Sequence, residues 1–382
     1  MLSNPKLQTM ETMVHHCLRS HDYRERLLIR LLKYCETKGC IHMLITSLDF
    51  ELPGKQQGFL QVPYSHDLGG WANVMIPITC VSPKSRSGPT VLILGGNHGD
   101  EYQGQIAAMN LARELQPEQL DSRIVLIPSL NFPAAREAKR LSPLDGMNLN
   151  RAFPGEPEGS VTSQIAHFLT TVLFPLSDVV IDMHSGGRSM EFEPCAHMHL
   201  VENLEQRERM LSAMLAWNTD FAFLYADIAG TGLLPVEAES QGKLVVTTEL
   251  GGGEAIPASI HRIAASGLRN VLIHLGALKG KEETRESLGK PPTILTQALD
   301  REDYLLAPES GIFEICVDLG CRVERGQVIG RIHHLERPDR QPEAIVSQSD
   351  GFLMTMRAPC LTRQGDCVAV IAQEVDPLSL AR

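Results

Sequence analysis

The residues whose types and spacing carry the most chemistry form the run Gly95-Gly-Asn-His-Gly-Asp-Glu101. It follows the apolar run Val91-Leu-Ile-Leu94 and opens a helical pattern. Its glycines permit a tight turn. His98 and Glu101, three residues apart, can bring an imidazole and a carboxylate to one point. Zinc takes such nitrogen and oxygen ligands, and a catalytic site uses three protein ligands with one position left open. Asp182-Met-His-Ser185, behind the apolar run Val179-Val-Ile181, makes His184 the candidate third ligand. Asp182 or Ser185 could orient an imidazole from behind. Hydrolysis also needs a general base. Thr247-Thr-Glu-Leu-Gly-Gly-Gly253 places Glu249 at the end of a third apolar run, Leu244-Val-Val246. There it would take a proton from the attacking water and return it to the leaving amine.

A substrate held for such a reaction needs anchors. Asn148-Leu-Asn-Arg151 sets Asn150 beside Arg151, and the forked guanidinium of arginine matches a carboxylate. Arg140, ten residues before Asn150, could stabilise the oxyanion forming on a scissile carbonyl. For a cationic substrate side chain, Glu191 and Glu193 are acids close after His184, although a solvated acidic strand edge accounts for them equally well. Taken singly, each of these residues is ordinary. A His at a strand end is more often structural than ligating, an Asn-Arg pair in a loop is usually solvated, and a Glu after a strand is commonly a cap. The inference rests on three strand ends that together supply the complement one mechanism requires. His197 and His199 alternate as strand neighbours would; they could line a pocket and are not expected to be ligands.

The elements that must position these residues can be read from the pattern. Val91–Leu94, Ile124–Ile127, Val179–Ile181 and Leu244–Val246 read as buried strands, with helical patterns over Gln105–Leu115, Ser163–Leu173 and Leu204–Trp217 between them. This alternation predicts an α/β domain over 45–295 with a mostly parallel sheet flanked by helices. Ligands of such sheets gather beyond the carboxyl ends of the strands. Pro291-Pro292 marks a boundary. The remainder, 296–382, is rich in short strands and repeats a motif weakly: Gly311-Ile-Phe before Gly326-Gln-Val-Ile, then Gly351-Phe-Leu before Gly365-Asp-Cys-Val. A small all-β, barrel-sandwich-like C-terminal domain is expected. It resembles a lipoyl or biotin carrier in pattern but has no Lys after Lys290 to carry a cofactor, so a structural or covering role is expected. Residues 1–44 read as a helical N-terminal extension, or equally as sequence ahead of a true start at Met43.

A net charge of −11 argues against a nucleic-acid surface. No run is long and apolar enough to span a bilayer. The first twenty residues lack the apolar core of a signal peptide and include His15, His16 and Arg19. Nine Cys, an odd number without a CxxC pair, suggest reduced thiols. A cytoplasmic location is expected, with no membrane or nucleic-acid partner and, from the general prevalence of dimers, a homo-oligomer.

The motifs Asn97–Glu101, Asn148–Arg151, Asp182–His184 and Glu249–Gly251, in this order, resemble the succinylglutamate desuccinylase/aspartoacylase family, relatives of the zinc carboxypeptidases, over residues 45–382. The resemblance implies a zinc-carboxypeptidase-like fold and one Zn2+ per chain on His98, Glu101 and His184. It further implies Glu249 as base, Arg140 on the carbonyl, and Asn150 with Arg151 on the carboxylate of a small N-acyl amino acid. Gly54–Phe59, Met75–Thr79, Thr247–Gly253 and Gly267–His274 resemble the members that deacetylate N2-acetyl-L-2,4-diaminobutanoate in ectoine degradation, and that substrate is expected. A succinylglutamate desuccinylase, an aspartoacylase or a carboxypeptidase would share these catalytic residues and differ in pocket lining. A non-catalytic metal or metabolite sensor is the alternative from another class, and the intact Glu249 speaks against it.

Overall fold

The computed structural model describes residues 44–226 and 231–376. The expected helical extension falls on residues outside that range. The centre of the molecule is built by four strands, β4 (Val91–Gly95), β5 (Ile124–Ile127), β6 (Val179–His184) and β10 (Leu244–Glu249), in the order β5-β4-β6-β10 and all parallel. Every residue of β4, β5 and β6 is buried. This is why these segments read as continuous apolar runs rather than alternating ones. Helices cover them. α1 (Tyr102–Glu114) packs on β4 and on α6 (Ala258–His274), while α4 (Leu204–Leu215) and α5 (Leu234–Ser240) pack on β10. The shorter α2 (Phe132–Arg136) and α3 (Val161–Phe168) lie between β5 and β6 in sequence. The helical pattern expected over Ser163–Leu173 continues past α3 as a π-helical turn, Leu169–Leu173.

The sheet is mixed, which corrects the expectation of a mostly parallel one. On one side β3 (Asn73–Ser82) runs antiparallel to β5, followed by β2 (Gly54–Pro63) and β1 (Ile45–Thr46). On the other, β8 (Cys195–His199) runs antiparallel to β10 and parallel to β9 (Phe221–Tyr225), which is parallel in turn to β11 (Ile294–Ala298). Connection length explains the reversals. The segments 64–72 between β2 and β3 and 185–194 between β6 and β8 are too short for the helical crossover, about a dozen residues or more, that a parallel return needs.

The C-terminal strands continue this sheet. β19 (Cys367–Glu374) adds to β11, β17 (Gly351–Arg357) to β19, and β7 (Met190–Phe192) to β17, while β12 (Tyr304–Leu306) also pairs with β19. A second, antiparallel sheet has the order β16-β15-β13-β18, from Glu343–Val346, Val328–His333, Gly311–Ile315 and Leu361–Thr362. The weak sequence repeat has a structural counterpart: β18, from the second repeat, pairs with β13 of the first, and β14 (Arg322–Val323), from the first, pairs with β17 of the second. Phe313, Ile329, Ile332 and Ile345 from the second sheet meet Leu353, Ala369 and Ile371 from the first in one apolar cluster. The opposite face of β19, through Val370 and Ala372, joins Phe221 and Phe223 in another cluster. Alternate residues of one strand thus serve two cores, and the second of these holds the C-terminal strands against the wall of the cavity described next.

Candidate metal centre and active site

His98 sits in the turn between β4 and α1, and Glu101 is the residue that precedes the first turn of that helix. The turn depends on its glycines. Gly96 has φ +64°, and a Cβ on Gly99 would lie 2.1 Å from the backbone carbon of Ala134. His184 is the last residue of β6, one strand over from β4. The three side chains are buried, and their ligand atoms lie within 4.8 Å of one another. Nδ1 of His98 is 2.7 Å from one Glu101 oxygen and Nδ1 of His184 is 2.8 Å from the other.

The outer nitrogens decide what these atoms can hold. Nε2 of His98 is 3.1 Å from Asn148 Oδ1, and Nε2 of His184 is 2.9 Å from Asp182 Oδ2, an oxygen that also accepts from Asn97 Nδ2. Both outer nitrogens face acceptors that can hold the ring proton, and with the proton there each Nδ1 turns a lone pair inward. Two lone pairs directed at a carboxylate repel it unless positive charge lies between them. The cluster is therefore built around a proton or a cation, and two imidazoles with one carboxylate form a donor set that zinc accepts. The electrostatics agree. Burial works to raise the Glu101 carboxyl, but the two imidazoles outweigh it and hold that group well below the usual range. Burial works to lower His184, but Asp182 and Glu101 raise it well above the ordinary imidazole value. Burial lowers His98.

Glu249 ends β10 directly beside His184 in register, and one of its carboxylate oxygens has no hydrogen-bond partner. Burial first, and the Glu101 charge second, push its carboxyl up to about 8. Two carboxyl groups in one site are thus driven in opposite directions, the pattern expected where one serves as a fixed anion and the other exchanges a proton.

Both groups line a cavity of about 440 Å³ that also receives Arg140, Asn150 and Arg151. Arg140, 43% exposed, donates from Nη1 to Glu101 Oε1 at 3.2 Å. Asn150 accepts the Leu234 N–H on its side-chain oxygen at 2.9 Å, which leaves its amide NH2 as the end it can offer. Arg151 Nη1 donates to the Asn150 carbonyl at 2.6 Å. The structure thus brings seven of the eight expected site residues together. Glu191 is the exception. Met190 and Phe192 line the cavity, and the period-two alternation of β7 turns Glu191 away, toward Gly253. Glu193 does not line it either; burial and Asp220 raise its carboxyl.

Much of the opposite wall had no sequence signal. Phe223 and Tyr225 from β9, Tyr304 from β12, Thr355 from β17, and Cys367 and Val370 from β19 all face the cavity. The alternating aromatics Phe221, Phe223 and Tyr225 would have marked one face of β9, but nothing in the chain says what that face meets. His197, on β8, lines the cavity; His199 does not.

Residues 87–275 match the succinylglutamate desuccinylase/aspartoacylase catalytic domain. The chain is 40% identical to the N-alpha-acetyl-L-2,4-diaminobutyric acid deacetylase of Halomonas elongata over 332 residues, 87% of this chain and 95% of the relative. The chain belongs to the succinylglutamate desuccinylase/aspartoacylase family. Its fold is similar to that of a succinylglutamate desuccinylase from Silicibacter sp., with TM-score 0.82 and 37% identity, covering 88% of this chain and all of the other. It is equally similar to the product-bound ectoine utilization protein EutE from Ruegeria pomeroyi, with TM-score 0.83 and 36% identity over 87% and 99% of the two chains. Among the described residues no helix is long and apolar enough to cross a membrane.

Proposed function

We propose that this chain is an amidohydrolase that uses one Zn2+, held by His98, Glu101 and His184, to remove the acetyl group of N2-acetyl-L-2,4-diaminobutanoate. The observation that carries this reading is the shared cavity: a three-ligand donor set, a buried carboxyl with a raised pKa, and two arginines open onto one space. A zinc ion there supplies Lewis acidity toward a carbonyl oxygen and toward water, whose pKa falls to about 7. The protein's own residues supply the remainder. Arg151 and the Asn150 amide NH2 take the α-carboxylate and fix the substrate's direction. Arg140 donates to the acyl oxygen as negative charge gathers there. Glu249 accepts a proton from the attacking water. It then delivers that proton to the amide nitrogen as the C–N bond breaks, releasing acetate and a free α-amine.

The lining also favours this substrate over the dicarboxylic ones. Arg140 and Arg151 are the only Arg or Lys among the described lining residues. With one on the carbonyl and one on the α-carboxylate, neither is left for a succinyl or aspartyl carboxylate. The reading takes 45–295 as the catalytic domain and 296–382 as a barrel-sandwich-like domain that completes the cavity wall, and it places the enzyme in the cytoplasm as a homo-oligomer.

The test is hydrolysis of N2-acetyl-diaminobutanoate, N-acetylaspartate, N2-succinylglutamate and a blocked dipeptide by zinc-loaded protein. Strong preference for the first is expected. Preference for another keeps the site and discards the substrate. Zinc bound at one per chain with no hydrolysis of any would overturn the enzyme reading in favour of a sensor.

A further inference from the structure

Among the described residues that line this cavity, one besides Glu249 has a buried side-chain atom without a hydrogen-bond partner: His197, at Nε2. His197 is 5% exposed and sits in β8 opposite Thr247 of β10. The Thr247 hydroxyl donates its single proton to the His197 carbonyl at 2.7 Å, so toward His197 Nδ1, 2.8 Å away, it can only accept. The ring proton therefore resides on Nδ1, and Nε2 is left as a lone-pair acceptor. Burial, with His184 and His199 nearby, holds this imidazole well below its ordinary pKa, so it stays neutral. Beside it stands an aromatic wall. Tyr225 meets the His197 ring edge-on at 4.7 Å between centroids and stacks with Phe223 at 6.1 Å.

We infer that His197, with Phe223 and Tyr225 beside it, forms the subsite for a substrate side chain that ends in an ammonium group. The inference rests on the proposed deacylase reading and adds what selects the substrate within it. A buried acceptor with no internal partner costs free energy until a donor arrives. An ammonium supplies N–H donors to the lone pair and is attracted to aromatic faces. A carboxylate at the same position meets the Nε2 lone pair and gains no hydrogen bond from it. The same imidazole therefore disfavours substrates with an acidic side chain, so that attraction and repulsion act together. The cavity recognises a cation here without a carboxylate at Glu191, whose side chain faces elsewhere.

The experiment compares kcat/KM for N2-acetyl-2,4-diaminobutanoate and for N2-acetyl-2-aminobutanoate, the analogue that lacks only the terminal amine, on zinc-loaded protein. Sites built to bind a polar substrate group reject the analogue lacking it strongly, and a preference of at least ~100-fold is expected for the wild type. In His197→Leu that ratio should fall below about tenfold, a loss of the order that a single unmade hydrogen bond to a charged group brings. In His197→Gln, whose side-chain oxygen restores an acceptor, most of the ratio should return. Calorimetry with 2,4-diaminobutanoate and 2-aminobutanoate should show the same order of affinities without turnover. A ratio unchanged in His197→Leu, or equal loss on both substrates without rescue by Gln, overturns the subsite. A wild type that hydrolyses acyl amino acids without preferring the amine overturns the subsite alone. A wild type that hydrolyses none of them overturns the function and the subsite with it.

Discussion

The two walls of the cavity are built on different principles. On one, the polar residues His98, Glu101, His184 and Glu249 stand at the ends of adjacent parallel strands or in the turn that follows one, and each is tied to its neighbours by short hydrogen bonds or by register. On the other, His197 projects from β8, which runs antiparallel to β10, Phe223 and Tyr225 from β9 beyond it, and Thr355 and Val370 from the C-terminal strands β17 and β19, and Phe223, Tyr225 and Val370 meet through apolar contact. The first wall has the groups to make and break bonds. The second has the shape and the lone pair to choose what is broken. Changes on the first should therefore alter rate and metal content, and changes on the second should alter selectivity.

The sharpest test of this division is Glu249→Gln. The amide keeps the shape and loses the exchangeable proton, so kcat should fall at least ~10³-fold, within the range that general acid–base groups contribute. Metal content, measured by atomic emission after dialysis, should stay at one per chain. Loss of metal in this variant would make Glu249 a ligand and break the assignment. Next in size is Asp182→Asn, which weakens the acceptor behind His184 Nε2. Loss of an outer partner of this kind costs ~10- to 100-fold in metal affinity, readable by competition with a chelator. On the selective wall, Val370→Phe narrows the cavity at a fully packed position. A misfit in an apolar pocket is worth about 1–3 kcal/mol of substrate binding, which predicts a rise in KM of about tenfold, with the chelator competition unmoved. If Val370→Phe shifts metal affinity as much as Asp182→Asn does, the two walls are not separable.

The difference also explains how much was legible in the sequence. The central strands are buried on both faces and read as unbroken apolar runs, so β4, β6 and β10 stood out. The residues just beyond them were then the natural place for chemistry. His98, Glu101, His184 and Glu249 follow from strand ends and the turn after one, and Asn150 and Arg151 from an amide set beside a guanidinium in a loop, a pair that suits a carboxylate. The mixed direction of the sheet was hidden because an apolar run does not show which way its neighbour points; only the lengths of segments 64–72 and 185–194 carry that information. Glu191 was misplaced by proximity in sequence, since one step along a strand reverses the face. Tyr304 and Val370 were out of reach for a different reason. They come to the cavity through pairing of β12 and β19 and of β19 and β11, contacts far apart in sequence that no local period encodes.

Glu249 stands where the walls meet, with His184 on one neighbouring strand and Cys195 on the other in register, and this gives the smallest but most specific prediction. In the metal-free protein its carboxyl is raised to about 8 from an ordinary value of 4.5, by burial first and the Glu101 charge second. The folded state then prefers the neutral form. Below pH 4.5 the group is neutral in folded and unfolded chains alike and costs nothing. As pH rises from 4.5 toward 8 the unfolded chain releases the proton and the folded one retains it, so stability declines across that window and the loss is complete above it. Gln cannot ionise. The Tm of metal-free Glu249→Gln should therefore match the wild type near pH 4, exceed it by a growing margin through neutral pH, and lead by several degrees at pH 9, as expected for a difference of a few kcal/mol. Zinc bound at the adjacent cluster adds positive charge beside Glu249, draws its pKa down and should shrink that margin. A margin that does not change with pH in the metal-free protein, or does not respond to zinc, would remove Glu249 from the field of the metal cluster and leave it on the selective wall alone.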